Sequence, residues 1–577
     1  MWKSPQTPSE IILHGLNIAI SRQRIAPLIR CLELTLTTLS RERHQGITLF
    51  SCDSFCSPHL KTQLTFFEAL DRISDGKTNF LNVPVAHYIT SIPQIDVLRN
   101  TQQTEKLLSV NAQMTNSQVD FLGSVPDGKR VSISHDKSYI ISALFDRLTQ
   151  IVASSEWQEV MINKFPFHEL SLRDLSLTYK LTPELCQEPS KPFYEHFILS
   201  NQFNVWLLMQ LIINSGHIGA IGVAMSFYTA TTVFRFFCRH TSRISRFFGP
   251  SSLTSIDLGI QHDNLICLLD SPVSLCGLTS ESNSNLLKSI DINAKVRASL
   301  DEYLSSRVKG YGTHTYSPPG ETGSDAELDL YDWIRSQRQQ GKTICSAFTS
   351  SQDETIGQNL GYNHENADLS HLNQSIFLDQ DGWLRCLITY FKELETSASL
   401  VIRIHPRLGR DKRGLPESPS LQDHLKNIIT EIGECSSIKL VYPHSAISSY
   451  QLGMGSDLIL NGWSTIGLEF AMMGKLVCNA FFKCAHGGAA IYPVQLQSTP
   501  FRTTDDYKAR IARLIQATQA IHCTSDEVIG ADEARKAFLS ANLCGLTDIR
   551  DDSALRSQIA MPVLLTPLLF KLLGYSN

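Results

Sequence analysis

The sequence of 577 residues predicts an α/β fold whose clearest part is a doubly wound parallel sheet in the second half of the chain. Two observations carry this prediction. Short apolar runs alternate with segments of helical spacing, which is the pattern of parallel βαβ units. The runs span 343–348, 400–404, 438–442, 458–460 and 476–481. The first four runs are each followed by polar or turn-forming residues, and such residues gather in the crevice at the carboxyl ends of the strands.

The segments between these runs are predicted helices with apolar residues on one face. They span 381–395, 421–432, 447–453, 465–473 and 507–518. The first of them opens on Asp379-Gln380-Asp381. Paired acids at the start of a helix are ordinary caps, so the sequence predicts no metal site there.

The pattern is weaker in the first 330 residues, where apolar spacing indicates a mixed α/β domain. Predicted strands lie at 47–52 and 217–225. Predicted helices lie at 18–39, 107–118, 138–152, 231–239 and 284–307. The stretch GYGTHTYSPPGETGSD then marks a loop or an interdomain linker, which places the domain boundary within 309–340. We therefore predict a first domain at 1–330, a second domain at 331–530, and C-terminal helices at 531–577 that pack back across the domains.

Composition and charge exclude several classes of protein. The length suits two or three domains, and a net charge of −5 without a basic run argues against a nucleic-acid surface. The 14 cysteines lack metal-type spacing, which favours free thiols in a reducing compartment. The sequence shows no signal peptide or long apolar segment. It predicts a cytoplasmic protein, with peripheral membrane contact through the apolar tail 559–573 as an alternative.

The turn after the fourth run is a candidate anion site. Gly462 permits the turn, and Ser464 or Thr465 stands where the next helix begins. The free N–H groups of a helix's first turn, together with the helix dipole, attract phosphate, and a hydroxyl adds a further donor. The alternative is that Ser464 is only a helix cap.

Glu469 and His405 are further candidates. Glu469 lies one turn into the same helix, where an acidic side chain is favourable without a ligand and can also accept hydrogen bonds from a ribose diol. His405 follows the second run, where it can bind phosphate or transfer a proton, although a lone histidine at a strand end is more often structural. The nearby Arg403, Arg407 and Arg410 favour an anion site, since guanidinium geometry suits phosphate.

Carboxylates and aromatic residues follow other runs. Asp353 and Glu354 come after the first run and are candidate general bases, or else a helix cap or a solvated loop. Tyr442 and His444 follow the third run and face the same predicted crevice. The motifs GxxxxGK(S/T), GxGxxG and GxSxG are absent from the sequence, which leaves P-loop hydrolysis, dinucleotide binding and an α/β-hydrolase nucleophile unsupported.

Five segments, taken in order, resemble capsule polysaccharide biosynthesis proteins. They are FTSSQDE (348–354), FLDQDGWL (377–384), VIRIHPR (401–407), YPHSAISSYQL (442–452) and DLILNGWSTIGLEFAMMGKLV (457–477). These proteins are bacterial GT-B-fold glycosyltransferases related to Kdo-transferases and sialyltransferases, with an HP motif and a later Ser/Thr pair. The resemblance covers about 343–481. It implies an α/β, GT-B-like fold of two Rossmann-like domains that face a cleft.

For the site, the resemblance implies that His405, Ser464 and Thr465 hold the donor phosphate and that Glu469 holds the ribose. The predicted donor-binding residues are His405, Arg407, Tyr442, His444, Ser464, Thr465 and Glu469, and the predicted catalytic residues are Asp353, Glu354 and His405. The sequence departs from the family pattern at Lys475-Leu476 and at Phe470. No acceptor-side catalytic residue is matched in the first domain, so donor binding is better supported than catalysis.

The predicted function is metal-independent transfer of a sugar from a nucleotide-activated donor, with a CMP-sugar favoured, to a growing capsular or lipopolysaccharide-type glycan. No cofactor is predicted besides this co-substrate. The predicted partners are the donor, a polysaccharide or glycolipid acceptor, and peripherally the inner membrane or a polysaccharide assembly complex. Three alternatives stay open: a nucleotide-sugar epimerase of the same architecture, which acts on the donor alone, a CDP-polyol phosphotransferase, and a non-catalytic assembly protein.

Overall fold

The computed structural model describes the chain in segments. These are residues 47–52, 57–75, 78–83, 161–162, 165–166, 220–224, 245–250, 265–269, 292–310, 317–318, 325–351, 376–377, 379–409, 417, 421–462, 464–480, 501–519, 530–543 and 546–560, with His14 and Arg30. The predicted helices at 107–118, 138–152 and 231–239 lie outside the described residues, as do Asp353 and Glu354.

Among the described residues, seven strands lie in the first half of the chain. They are β1 (Ile47–Cys52), β2 (Thr78–Val83), β3 (Met161–Ile162), β4 (Phe165–Pro166), β5 (Ala220–Ala224), β6 (Ser245–Pro250) and β7 (Leu265–Leu269). Strands β2, β1, β5 and β6 pair in parallel in that order, and β7 joins β6 antiparallel. Strands β3 and β4 form a separate antiparallel pair. The predicted strand at 47–52 is confirmed, and the described part of the one predicted at 217–225 forms β5.

The second sheet has five parallel strands. They are β8 (Thr343–Phe348), β9 (Ala398–Arg403), β10 (Ile438–Val441), β11 (Leu458–Asn461) and β12 (Leu476–Asn479). Across the sheet their order is β10-β9-β8-β11-β12. This is the doubly wound arrangement, and its topological switch point, where ligands bind, lies between β8 and β11.

The described helices surround these sheets. They are α1 (Ser57–Ile73), α2 (Ala294–Val308), α3 (Asp325–Gln339), α4 (Gln380–Glu393), α5 (Leu421–Ile432), α6 (Ser449–Met454), α7 (Ile466–Met472), α8 (Thr504–Gln519), α9 (Ala531–Leu543) and α10 (Asp552–Ala560). Helix α3 lies within 309–340, where the sequence predicted the domain boundary and no helix. Its Leu330 and Ile334 lie one turn apart and are buried in one cluster with Ile344 of β8, so α3 belongs to the packed core.

Alternate residues of β8 face the two sides of the second sheet, as expected for a strand covered on both faces. Ile344 and Phe348 pack in the cluster with α3, α6 and α7, whereas Cys345 and Ala347 pack in the cluster with α4, α5 and α8. In the second cluster Trp383 is fully buried. The two helices α4 and α8 are joined there by a hydrogen bond of 2.9 Å from the Trp383 indole N–H to the Tyr507 hydroxyl.

The C-terminal segment contacts both sheets. Strand β13 (Leu546–Asp548) pairs antiparallel with β7, so the first sheet has six strands in the order β13-β7-β6-β5-β1-β2. Helix α9 packs on α7, and its Asp532 and Arg535 form ion pairs with Arg297 and Asp301 of α2. Sequence analysis predicted only helices here and missed the strand, which is three residues long.

Both sheets combine mainly parallel strands with covering helices, so the predicted α/β fold class of two Rossmann-like, GT-B-like units is confirmed. The domain limits at 330 and 530 stay a prediction. No described helix is long and apolar enough to cross a bilayer.

The described cysteines differ in burial. Cys345 and Cys478 are buried, whereas Cys386 and Cys435 are partly exposed. Burial raises the pKa of Cys478 to about 12 and raises the pKa of Cys345 well above its ordinary value. Because the thiolate is the reactive form, we expect iodoacetamide to modify Cys435 of the native protein at least roughly tenfold faster than Cys478, as measured by peptide mass spectrometry. Equal rates would contradict the burial of β12.

Candidate functional site

Three buried polar residues follow β8 at the carboxyl edge of the second sheet. Thr349, Ser350 and Ser351 are each 4% exposed or less. The Thr349 N–H donates to the Arg403 carbonyl at 3.1 Å, which continues the β8–β9 pairing past the end of β8. The Ser351 hydroxyl accepts a hydrogen bond of 3.2 Å from Arg407 Nη1. The turn after β8 is therefore held by residues at and beyond the end of β9.

His405 and Arg407 lie in and beside a short 3-10 turn, Pro406–Leu408, directly after β9. The His405 N–H donates to Thr349 Oγ1 at 2.9 Å, and His405 Nδ1 accepts from the Arg407 N–H at 3.3 Å. The imidazole thus caps the turn, which is the structural alternative for a histidine at a strand end. Arg407 is 4% exposed, so it places a buried positive charge at this edge. The roles of both residues with a ligand stay predictions.

Arg403 is bound by main-chain carbonyl groups. It is 1% exposed, and its guanidinium donates to the carbonyls of Tyr442, Ser445 and Ile447. Burial lowers the pKa of Arg403 to about 10. These bonds fix the loop after β10, where the exposed rings of Tyr442 and His444 stack with their centroids 5.6 Å apart. Arg403 therefore shapes the crevice and does not supply the anion-binding charge that its place in the sequence suggests.

Asn461 braces the turn after β11. Its Nδ2 donates to the Ser464 carbonyl and to Asn479 Oδ1, both at 2.8 Å. Ser464 Oγ accepts from the Ile466 N–H at 3.4 Å, while Thr465, at the N-cap position of α7, makes no side-chain capping bond. Ser464 therefore bonds the first N–H of α7 from the residue before the N-cap position, and its role with a ligand stays a prediction. Helix α7 has only seven residues, so its dipole is a weak reason for an anion site.

Glu469 lies in a buried network. It is 2% exposed, its Oε1 accepts from Tyr303 OH and Arg307 Nε at 3.1 Å each, and its Oε2 accepts from Tyr450 OH. Burial, and then the charge of Glu469, raises the pKa of Tyr450 and of Tyr303, so both hydroxyls stay protonated donors at neutral pH. Both carboxylate oxygens are thus engaged by protein donors. The predicted ribose contact requires a ligand to displace one of them and stays a prediction.

The predicted site residues lie at several strand ends rather than at one point. His405 and Arg407 follow β9, Ser464 and Thr465 follow β11, and β8 runs between these two strands. Neighbouring strands are about 4.8 Å apart, so the two groups flank the end of β8 at about 10 Å from each other. In the segments that the structure describes, no group of three or more His, Cys, Asp or Glu residues is placed to hold a metal ion.

Two residues outside the predicted set lie beside the switch point. Ser350 Oγ, after β8, and Asn461 Oδ1, at the end of β11, are buried, and across the described residues neither atom has a hydrogen-bond partner. Strands β8 and β11 are neighbours, and the Gly462 N–H donates to the Phe348 carbonyl at 3.2 Å beyond their ends. The only sequence signal for these residues is their position directly after an apolar run.

No family model matches the sequence, and no curated protein matches it. Solved structures with a similar fold include the UDP-GlcNAc 2-epimerase of Neisseria meningitidis bound to UDP-GlcNAc, at 10% identity and a TM-score of 0.25, with 86% of this chain and 100% of that chain covered. A putative UDP-N-acetylglucosamine 2-epimerase of Listeria monocytogenes has 9% identity and a TM-score of 0.27, covering 89% and 96%. The UDP-GlcNAc 2-epimerase of Methanocaldococcus jannaschii has 8% identity and a TM-score of 0.26, covering 86% and 98%. At these identities the likeness concerns the fold alone.

This finding corrects the predicted glycosyltransferase activity. The similar structures named above are epimerases, and epimerisation of a nucleotide-linked sugar needs no glycan acceptor. By this comparison the prediction of sugar transfer is wrong, and the epimerase alternative stays a proposal. The motifs at 343–481 were the basis of the predicted donor side of the crevice, and the sequence matched no acceptor-side catalytic residue in the first domain. The motifs alone therefore did not distinguish a transferase from an epimerase.

Proposed function

We propose that the chain binds a nucleotide-linked sugar at the carboxyl edge of its second sheet and inverts the configuration of one carbon of that sugar. The observation that carries the binding proposal is the pair of buried, unmatched atoms at the switch point, Ser350 Oγ and Asn461 Oδ1. A buried polar atom without a partner costs about 1–3 kcal/mol. A ligand that supplies hydrogen bonds to these atoms recovers that free energy, and switch points of such sheets are where nucleotides bind.

Residues around these atoms suit the other parts of such a ligand. Arg407 supplies a buried positive charge for the diphosphate, and the stacked Tyr442 and His444 offer an exposed aromatic face for the base. The further proposed contacts are His405, Ser464, Thr465 and Glu469. Inversion at carbon 2 balances if one group removes its proton while the bond from carbon 1 to the nucleotide diphosphate breaks, which leaves a carbon 1–carbon 2 double bond. The diphosphate then re-forms its bond to carbon 1 while a second group delivers a proton to the opposite face of carbon 2. Asp353 and Glu354 are the proposed groups for these steps.

UDP-GlcNAc is the first substrate to test, because it is the ligand in the similar solved structures of the Neisseria meningitidis and Methanocaldococcus jannaschii enzymes. The CMP-linked sugars favoured by the sequence resemblance are the second class to test. The same resemblance makes a surface glycan the proposed destination of the product, and the cytoplasm, with the inner membrane at its boundary, the proposed location.

Binding is tested by thermal unfolding with UDP, UDP-GlcNAc and CMP in turn. A ligand that binds only the folded protein, at a hundredfold excess over its Kd, stabilises it by about 2.7 kcal/mol. We expect UDP and UDP-GlcNAc to raise the Tm and CMP to leave it unchanged. A response to CMP alone would move the proposal to CMP-linked sugars, and no response to any of the three would overturn it.

Turnover is tested separately, by proton NMR of UDP-GlcNAc with the protein in D2O and no acceptor. We expect a second nucleotide-linked sugar to appear, with deuterium at the inverted carbon, because the proton removed there exchanges with solvent. If UDP-GlcNAc binds but remains unchanged and undeuterated, the epimerase activity is refuted and the non-catalytic alternative is favoured.

A further inference from the structure

A buried histidine and an aspartate form a pair between α4 and α5. His424, in the first turns of α5, is 5% exposed, and its Nδ1 lies 3.1 Å from Asp381 Oδ1 in the first turn of α4. We assign the ring proton to Nδ1, because a carboxylate oxygen facing that nitrogen is an acceptor. His424 Nε2 then carries a lone pair and can accept a hydrogen bond.

His424 Nε2 is buried, and throughout the described residues it has no hydrogen-bond partner; the same holds for Ser350 Oγ. Both residues adjoin the first turn of α4. Gln380, directly before Asp381, accepts from the Ser350 N–H at 2.6 Å and donates to the Ser350 carbonyl at 3.2 Å. One side-chain amide thus fixes the main chain of Ser350, and the carboxylate of the next residue lies 3.1 Å from the imidazole.

Both atoms also lie towards the carboxyl edge of the second sheet. Ser350 follows β8 directly, and α4 and α5 each begin after the chain has left the carboxyl end of a strand, β8 and β9 respectively. Buried polar groups in folded proteins nearly always have hydrogen-bond partners. Two such atoms without one among the described residues, on residues that adjoin one turn, therefore call for an explanation. An apolar residue at position 350 or 424 would avoid the free-energy cost of burying a polar atom without a hydrogen bond.

We propose that Ser350 Oγ and His424 Nε2 form the subsite that recognises the hydroxyl and amide groups of the sugar, with Asp381 and Gln380 as positioning residues. The inference rests on the proposed function and specifies which part of the ligand these residues contact. A nitrogen lone pair requires a hydrogen-bond donor. A diphosphate offers only acceptors, whereas sugar hydroxyls and an acetamido N–H are donors.

The test compares two ligands that differ only in the sugar. Titration calorimetry with UDP and UDP-GlcNAc is carried out on the wild type, on His424→Asn and on His424→Gln. An asparagine amide reaches the position of Nδ1 and keeps a donor for Asp381, whereas a glutamine amide reaches the position of Nε2. We expect His424→Asn to weaken UDP-GlcNAc binding by about 3–10-fold, the value of one neutral hydrogen bond, and to leave UDP binding unchanged. His424→Gln should restore part of the loss.

A second measurement uses two buried serines. Ser399 Oγ, at the start of β9 and on the opposite edge of the sheet, donates to Gln337 Oε1 at 2.8 Å. We expect Ser399→Ala to lower the Tm by roughly 2–4 °C without changing UDP-GlcNAc affinity. Ser350→Ala removes a hydroxyl that has no hydrogen-bond partner among the described residues, so we expect the Tm to stay the same or to rise. We also expect this variant to weaken UDP-GlcNAc binding more than UDP binding.

The outcomes separate this inference from the proposed function. If neither UDP nor UDP-GlcNAc binds the wild type, this inference fails, and the proposed function fails with it unless CMP binds. If both ligands bind and His424→Asn and Ser350→Ala leave the ratio of the two affinities at its wild-type value, the sugar subsite is refuted and the nucleotide site stands. If the variants weaken UDP binding as much as UDP-GlcNAc binding, these residues do not contact the sugar specifically, and the inference is likewise overturned.

Discussion

Replacement of Glu469 by alanine is expected to lower the free energy of unfolding by about 3–5 kcal/mol, the usual effect of removing one partner of a buried ion pair. Glu469 Oε1 accepts from Arg307 Nε at 3.1 Å, and the two side chains are only 3% and 13% exposed. Burial, the largest single effect, lowers the pKa of Arg307, but the charge of Glu469 together with Tyr450 and Tyr303 raises it above its ordinary value. Without Glu469 the guanidinium keeps its charge and loses its partner.

The same substitution removes the acceptor of two tyrosine hydroxyls, those of Tyr303 and Tyr450. Tyr303 and Arg307 belong to α2, whereas Tyr450 belongs to α6. Glu469 thus connects the helix that precedes the second sheet to two helices of that sheet. We therefore expect Glu469→Ala also to loosen α2, measured as faster amide hydrogen exchange over 294–308.

An exposed ion pair provides the control. Arg335 and Asp332 are 3.0 Å apart on α3, with side chains 70% and 68% exposed. Such pairs contribute at most about 1 kcal/mol, so Asp332→Ala should leave the urea midpoint almost unchanged. If Glu469→Ala has an equally small effect on stability but abolishes UDP-GlcNAc binding, the network is not structural and the predicted ribose contact gains support.

The second sheet was predictable because its strands are short, apolar and buried on both faces, while the intervening helices keep a clear 3.6-residue spacing. Strand β8 and helix α5 match their predicted limits, and β9 differs at its start by two residues. Helix α3 was missed because turn-forming residues dominate the sequence just before it. The buried Leu330 and Ile334 fall within a stretch that is otherwise polar.

The sequence predicted where the candidate site lies in the fold, but not which contacts its side chains make. Strand–helix alternation located the crevice, and the residues after each strand could be read directly from the sequence. What each side chain does there depends on contacts between distant parts of the chain. Glu469 meets Tyr303 and Arg307 across more than 160 residues of sequence. The unmatched atoms of Ser350, Asn461 and His424 are likewise visible only when the surrounding packing is known.

Replacement of Gly467 by alanine is expected to lower the free energy of unfolding by about 1–3 kcal/mol, the usual cost of overpacking, and to weaken UDP-GlcNAc binding by roughly tenfold, or about 1.4 kcal/mol. A Cβ on Gly467 would lie 2.6 Å from Asn461 Nδ2 and 2.9 Å from Asn461 Cβ. Asn461 would have to move. It would then lose its hydrogen bonds to the Ser464 carbonyl and Asn479 Oδ1, which hold the turn after β11.

Gly455→Ala is the matched control, since Gly455 ends the neighbouring helix α6 in a right-handed conformation, φ −76° and ψ −4°. A Cβ there would lie no closer than 3.4 Å to its nearest neighbour, the Gln451 carbonyl oxygen. We expect a stability change within about 0.5 kcal/mol and unchanged UDP-GlcNAc affinity. If Gly467→Ala is destabilised but binds UDP-GlcNAc as the wild type does, the turn that Asn461 holds serves only the fold, and the ligand must lie nearer β9 and Arg407.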